Sequence, residues 1–84
     1  MQRCDEWVEV EARWEADGSV TPIRFTVGGQ PHRVTSVGRN WDVAGEGRNI
    51  LVMDERRQVY ELVLRVPELR WWLAAQADRR DSMA

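Results

Sequence analysis

The chain has 84 residues, with 14 acidic against 12 basic side chains and a formal net charge of -2 at pH 7. This length fits one domain with a single core, which the chain can bury alone or share with a second copy. Every basic residue is arginine, but the near balance of charge lacks the basic excess that is typical of nucleic-acid binders.

Composition also bears on the compartment. The single cysteine, Cys4, offers no disulfide framework and no metal cluster, and it fits a reducing environment. No apolar run approaches the ~20 residues of a membrane span, and the amino terminus does not resemble a signal peptide. We therefore expect a cytoplasmic single domain over residues 1–84, with its core over 6–77 and a flexible tail over 78–84.

The first predicted strand runs from Trp7 to Glu15, where apolar and polar residues alternate. Asp17-Gly18 follows and is typical of a two-residue turn between antiparallel strands. With that loop length, the cross-strand pairs are Trp14–Thr21, Ala12–Ile23, Glu11–Arg24 and Val10–Phe25.

A second hairpin is predicted at Gly28-Gly29, because glycine accepts the positive φ angles of tight hairpin turns. Phe25 then lies opposite His32, Arg24 opposite Arg33, and Ile23 opposite Val34. The predicted apolar face holds Ile23, Phe25, His32 and Val34, which makes His32 a packed histidine. On the other face, Glu11, Arg24 and Arg33 are predicted to form a cross-strand ladder of opposite charges.

The third strand begins at Pro31, and the spacing of its valines predicts a bulge near Thr35-Ser36. The polar, glycine-containing segment from Gly38 to Arg48 is predicted to be a loop, with Trp41 as its one large apolar residue.

Two further strands, over 49–54 and 59–64, are predicted to join through a three-residue loop that sets Val52 opposite Tyr60 and Ile50 opposite Leu62. Both faces of this pair are apolar, and such strands are usually covered on both sides. Either the amino-terminal strand or the Trp71-Trp72 segment folds across the second face, or that face binds a partner. This candidate partner surface consists of Leu51, Met53, Val59 and Val63.

The last segment is open to two interpretations. Pro67-Glu68 followed by an apolar run fits a helix that starts at a proline, and propensity favours it. A strand over Arg70 to Gln76 would instead place Trp71, Leu73 and Ala75 on one face.

Several stretches resemble a small bacterial domain family of unknown function. P-I-R-F, then glycine, then H-R-V is similar to that family's P-[VI]-R-F…G…Y-R-V signature, and Tyr60-Glu61-Leu62 and Arg70-Trp71-x-Leu73 keep the order and spacing. A similar module ends the polymerase-like accessory protein of a bacterial mutagenesis cassette. The resemblance covers about Val20 to Gln76 and implies a strand over Arg70 to Gln76. The chain departs from it at His32, where the family has an aromatic residue, and at Arg56 or Arg57, where it has glycine.

Together these patterns predict an all-β fold, a curved antiparallel meander of about six strands that partly closes into a small barrel. No nucleophile motif, metal-ligand spacing or phosphate-binding loop is present, so we expect no enzyme, cofactor or small-molecule ligand. The leading interpretation is a non-catalytic protein-interaction module, with a protein partner or a homodimer, and the resemblance links it to DNA-damage tolerance. The alternative is a single-stranded nucleic-acid binder. Its candidate surface consists of Arg39, Trp41, Arg48, Arg56 and Arg57.

Overall fold

A computed structural model describes residues 2–77 and shows an all-β architecture. Six antiparallel strands follow one another in chain order and close into a barrel, since the first strand also pairs with the last. This confirms the predicted fold class. The predicted tail over 78–84 lies outside the described residues. The strands are β1 Gln2–Trp14, β2 Val20–Val27, β3 Gln30–Val43, β4 Gly47–Asp54, β5 Val59–Arg65 and β6 Arg70–Ala77.

The β1–β2 hairpin combines two departures from its predicted form. The Glu15 amide donates to the Ser19 carbonyl, and the Gly18 amide donates to the Glu15 carbonyl. The loop between Glu15 and Ser19 therefore holds three residues and not two. Further along, Ile23 has no partner and forms a bulge. The extra loop residue shifts the register by one and the bulge shifts it back, so the pairs of Glu11 with Arg24 and Val10 with Phe25 are confirmed.

Between the turn and the bulge, the predicted register is wrong. Ala12 lies opposite Pro22, and Trp14 lies opposite Val20. Pro22 is therefore fully buried and takes the inward position opposite Ala12 that was predicted for Ile23, whereas Ile23 is exposed. A one-residue slip reverses the direction of every side chain in the segment that slips.

The Gly28-Gly29 hairpin has the predicted register from Val27–Gln30 to Arg24–Arg33. Pairing ends there, so the predicted Ile23–Val34 contact does not form. The predicted charge ladder does not form ion pairs, because no salt bridge within residues 2–77 joins Glu11 to Arg24 or Arg33.

The predicted loop from Gly38 to Arg48 is wrong. β3 continues to Val43, and Asn40, Trp41 and Asp42 pair with β4. The polar side chains here face solvent, while the backbone N–H and C=O groups pair with the neighbouring strand. The polarity of this segment therefore reflects an exposed strand and not a loop. The bulge predicted near Thr35-Ser36 is present, and a second irregularity follows Val37.

The β4–β5 hairpin and β6 complete the wall. Val52 lies opposite Tyr60 and Ile50 opposite Leu62, as predicted. Arg70–Ala77 is a strand paired with both β5 and β1. This confirms the strand that the resemblance implied, and the helix that propensity favoured does not form. The pairing closes the barrel, and tertiary contacts of this kind routinely outweigh helix propensity.

The barrel interior is filled from every strand. The largest fully buried side chains are Tyr60, Phe25, Ile50, Leu62, Leu73, Val52, Asp54 and Pro22. Asp54 is the one charged residue among them.

Candidate functional site

The candidate partner surface lies on the outside of β4 and β5. Ile50, Val52, Tyr60 and Leu62 fill the interior, so the alternate residues point away from it. Leu51, Met53 and Val59 are half-buried, while Val63 is only 7% exposed. Val63 is buried and offers no surface to a partner, so we call Leu51, Met53 and Val59 the outer patch.

Within residues 2–77, no strand crosses the outer patch. The amino-terminal strand and the Trp71-Trp72 segment were the two candidates to cover it, and both pair edge to edge in the barrel wall as β1 and β6. The outer side of β4 and β5 therefore carries apolar side chains that no described strand covers, together with polar ones. Glu61 lies opposite Leu51, between Val59 and Val63, and accepts a 2.9 Å hydrogen bond from Asn49 Nδ2.

An aromatic extension continues the outer patch around the barrel. Trp72 lies opposite Val63, and Trp7 lies opposite Trp72. The two indole rings meet edge to face with centroids 5.0 Å apart, and the Arg70 guanidinium lies 3.9 Å from the centroid of Trp7. Trp7 remains 40% exposed.

The residues of the candidate nucleic-acid surface fall into two groups. Arg39 and Trp41 share the outer side of β3, with the guanidinium 5.4 Å from the indole centroid. Arg48 is nearby, at the start of β4, whereas Arg56 and Arg57 lie in the turn beyond its other end. The strand between them has eight residues. At about 3.3 Å per residue, it separates Arg48 from Arg56 by roughly 26 Å.

Arg48 is already engaged by the protein itself. Its Nε donates to Asp42 Oδ1 at 2.9 Å, and Nη1 donates to the carbonyl of Gly18 at 3.2 Å. The guanidinium thereby joins the β1–β2 turn to β3 and is partly neutralised. These contacts favour a structural role for this arginine.

A buried polar cluster around Asp54 was missed by sequence reasoning. Asp54 is 1% exposed, and its Oδ1 accepts hydrogen bonds from the backbone amides of Arg56 and Gln58, each at 2.9 Å. Its Oδ2 lies 3.0 Å from His32 Nδ1 and 3.2 Å from the Tyr60 hydroxyl, whose single proton has Gln58 Oε1 as a second, closer acceptor at 2.6 Å. The alternation of Ile50, Val52 and Asp54 could have revealed this, since all three point inward.

The cluster controls the ionisation of its members. Burial acts to raise the pKa of Asp54, but the amide of Gln58, the imidazole of His32 and the other donors outweigh it and hold the pKa below its usual value. Burial, together with the negative charge of Asp54, raises the pKa of the Tyr60 hydroxyl. Asp54 is therefore an anion at neutral pH, and it can only accept hydrogen bonds.

His32 is a packed histidine, as predicted. Its ring stacks on Phe25 with centroids 5.0 Å apart, and the residue is half-buried. Because the Asp54 carboxylate only accepts, His32 carries a proton on Nδ1. Within the described residues, the imidazole has Asp54 as its hydrogen-bond partner, and this contact joins the start of β3 to the end of β4.

No group of three or more histidine, cysteine or acidic side chains in residues 2–77 could hold a metal ion. The same residues contain no helix long and apolar enough to cross a membrane. Comparison with family models, curated proteins and solved structures finds no match to this chain.

Proposed function

We propose that this protein is a non-catalytic protein-interaction module that binds a partner, or a second copy, through the outer patch. The observation that carries the proposal is the set of apolar side chains beside Glu61 on the exterior of β4 and β5, which no strand of residues 2–77 covers. Burying apolar area is the main favourable term in protein association. Leu51, Met53 and Val59 offer such area on a rigid wall.

The aromatic extension supports the same proposal. Tryptophan and arginine are enriched among the residues that dominate interface energies, and Trp7 with Arg70 presents both next to the patch. The rigid strands also lower the entropy that binding would cost, because few backbone torsions need to be fixed.

The nucleic-acid alternative is less well supported. Arg48 and Arg56-Arg57 lie at opposite ends of β4, and Arg48 is paired with Asp42. A single strand requires a continuous basic track with stacking platforms. The suggested link to DNA-damage tolerance rests on the sequence resemblance alone.

Photo-crosslinking in host cells tests the proposal. Benzoylphenylalanine at Met53 or Val59 should give a discrete covalent adduct, whose mass identifies a second copy or another protein. The matched control is the same group at Arg24, an exposed position on β2. Adding Met53→Glu to the Val59 probe should abolish its adduct, because a charge on the patch opposes apolar burial. Equal labelling at positions 53, 59 and 24 would refute the proposal.

A further inference from the structure

One end of the barrel opens into a cavity that the outer patch does not include. The β1–β2 turn, the β3–β4 turn and the β5–β6 turn surround it, and its volume is ≈ 550 Å³. The apolar lining consists of Trp14, Val43, Leu64, Val66, Pro67 and Leu69. Ligand sites commonly have volumes in this range, and mouths of β-barrels are a frequent location for them. We call this cavity the barrel mouth.

The rim of the barrel mouth is unusually apolar. Trp14 is 60% exposed, Val66 55% and Leu69 79%. Leu69 also has φ of 53°, a left-handed conformation that costs a bulky side chain roughly 1–2 kcal/mol. Glycine or asparagine would occupy that turn position more easily, so folding does not explain the leucine. Strain and exposed apolar area together are typical of a binding site.

Hydrogen bonds between the turns hold the barrel mouth in place. Within the β3–β4 turn, the Glu46 amide donates to the Val43 carbonyl at 3.0 Å. The β5–β6 turn is joined to it because the Val66 amide donates to the Glu46 carbonyl at 3.3 Å. Arg48 connects the same end to the Gly18 carbonyl at 3.2 Å. The cavity is therefore formed before any ligand arrives.

The charge of the barrel mouth indicates what it would accept. Its wall holds the carboxylates of Asp42 and Glu46 against the single guanidinium of Arg48. Arg48 is paired with Asp42, and the Glu46 carboxylate has no hydrogen bond or ion pair within residues 2–77. Next to the cavity, the Asp17 carboxylate caps the β1–β2 turn, and it adds negative charge. The rim thus attracts a cation beside an apolar group.

The geometry points to a second binding site here, specific for a peptide segment of a partner protein in which an aliphatic side chain adjoins an arginine or lysine. The aliphatic group enters between Trp14 and Leu69, and the cation pairs with Glu46. This inference goes beyond the proposed function, because it concerns a different surface, and variants of the outer patch leave it intact.

NMR titration of the full chain with two dipeptides tests it. The probes are N-acetyl-Leu-Arg-amide and N-acetyl-Leu-Glu-amide, which share the aliphatic group and differ in charge. At millimolar concentration, the arginine probe should shift the amides of Gly45 and Leu69 and the indole N–H of Trp14. It should bind about two- to fivefold more tightly than the glutamate probe, the range expected of an exposed ion pair.

Variants separate the two components of recognition. Glu46→Gln should remove the preference for the arginine probe, whereas the matched control Glu11→Gln, on the outside of β1, should retain it. Leu69→Ser should weaken the binding of both probes. Shifts that are absent or spread over the whole barrel would overturn the inference. So would a preference that survives Glu46→Gln, or tighter binding of octanoate, an apolar anion.

Discussion

The carboxylate of Asp54 should be the most sensitive polar group for stability, and the structure allows its contribution to be approximated. Asp54→Ala removes the acceptor of the Arg56 and Gln58 amides and the partner of His32, whereas the Tyr60 hydroxyl keeps Gln58 Oε1 as an acceptor at 2.6 Å. A hydrogen bond to a charged group contributes ≈ 1.5–3 kcal/mol, and bonds in one cluster are not additive. We expect a loss of about 3–5 kcal/mol in the free energy of unfolding.

A second substitution keeps the test informative if the alanine variant does not fold. Asp54→Asn retains an oxygen for the two backbone amides. Its NH2 group can donate to the Tyr60 hydroxyl oxygen, and to His32 Nδ1 once the imidazole proton is on Nε2, so we expect a loss of about 1–2 kcal/mol. Urea unfolding followed by tryptophan fluorescence measures both variants. The matched control is Asp42→Asn, which breaks an exposed ion pair with Arg48 and should change stability by less than about 1 kcal/mol.

The pH dependence follows from the lowered pKa of Asp54. A carboxyl whose folded pKa lies below its unfolded value stabilises the protein above the unfolded value, 3.8 for aspartate. That stabilisation is lost as the pH falls through the folded pKa. The stability difference between wild type and Asp54→Asn should therefore be full at neutral pH and shrink below about pH 3.8. A difference that stays constant with pH, or an alanine variant destabilised by less than about 1 kcal/mol, would refute the reasoning.

Three further predictions follow from backbone geometry and charge. Arg57 has φ of 64°, so Arg57→Gly should stabilise the protein by about 0.5–1 kcal/mol in urea unfolding; a lower stability would contradict the assigned strain. At Gly47, with φ of 148°, a Cβ would lie 1.9 Å from the Leu64 carbonyl oxygen. Gly47→Ala should therefore cost more than about 2 kcal/mol, and a neutral effect would show that the two strands separate easily. Short single-stranded DNA or RNA should show no binding by fluorescence anisotropy at physiological salt; tight, salt-sensitive binding that Trp41→Ala abolishes would favour the nucleic-acid alternative.

The sequence by itself determined the features that depend on local chemistry. Gly28-Gly29 identified its hairpin because few other residues accept two positive φ angles in succession. Alternation gave the inner and outer faces of β4 and β5, and with them the outer patch. These signals depend on neighbouring residues only.

Only the tertiary structure decided the features that depend on distant partners. The Ile23 bulge cancels the register shift that the longer β1–β2 turn introduces, so neither feature can be predicted without the other. Polar residues around Trp41 form a strand because β4 pairs with them, and β6 is a strand because β5 and β1 lie on either side. Alternation with Ile50 and Val52 places Asp54 inside the barrel, but only the tertiary structure brings His32 and Tyr60 to its carboxylate. The barrel mouth likewise arises from three turns that are far apart in the chain, so no local pattern could indicate it.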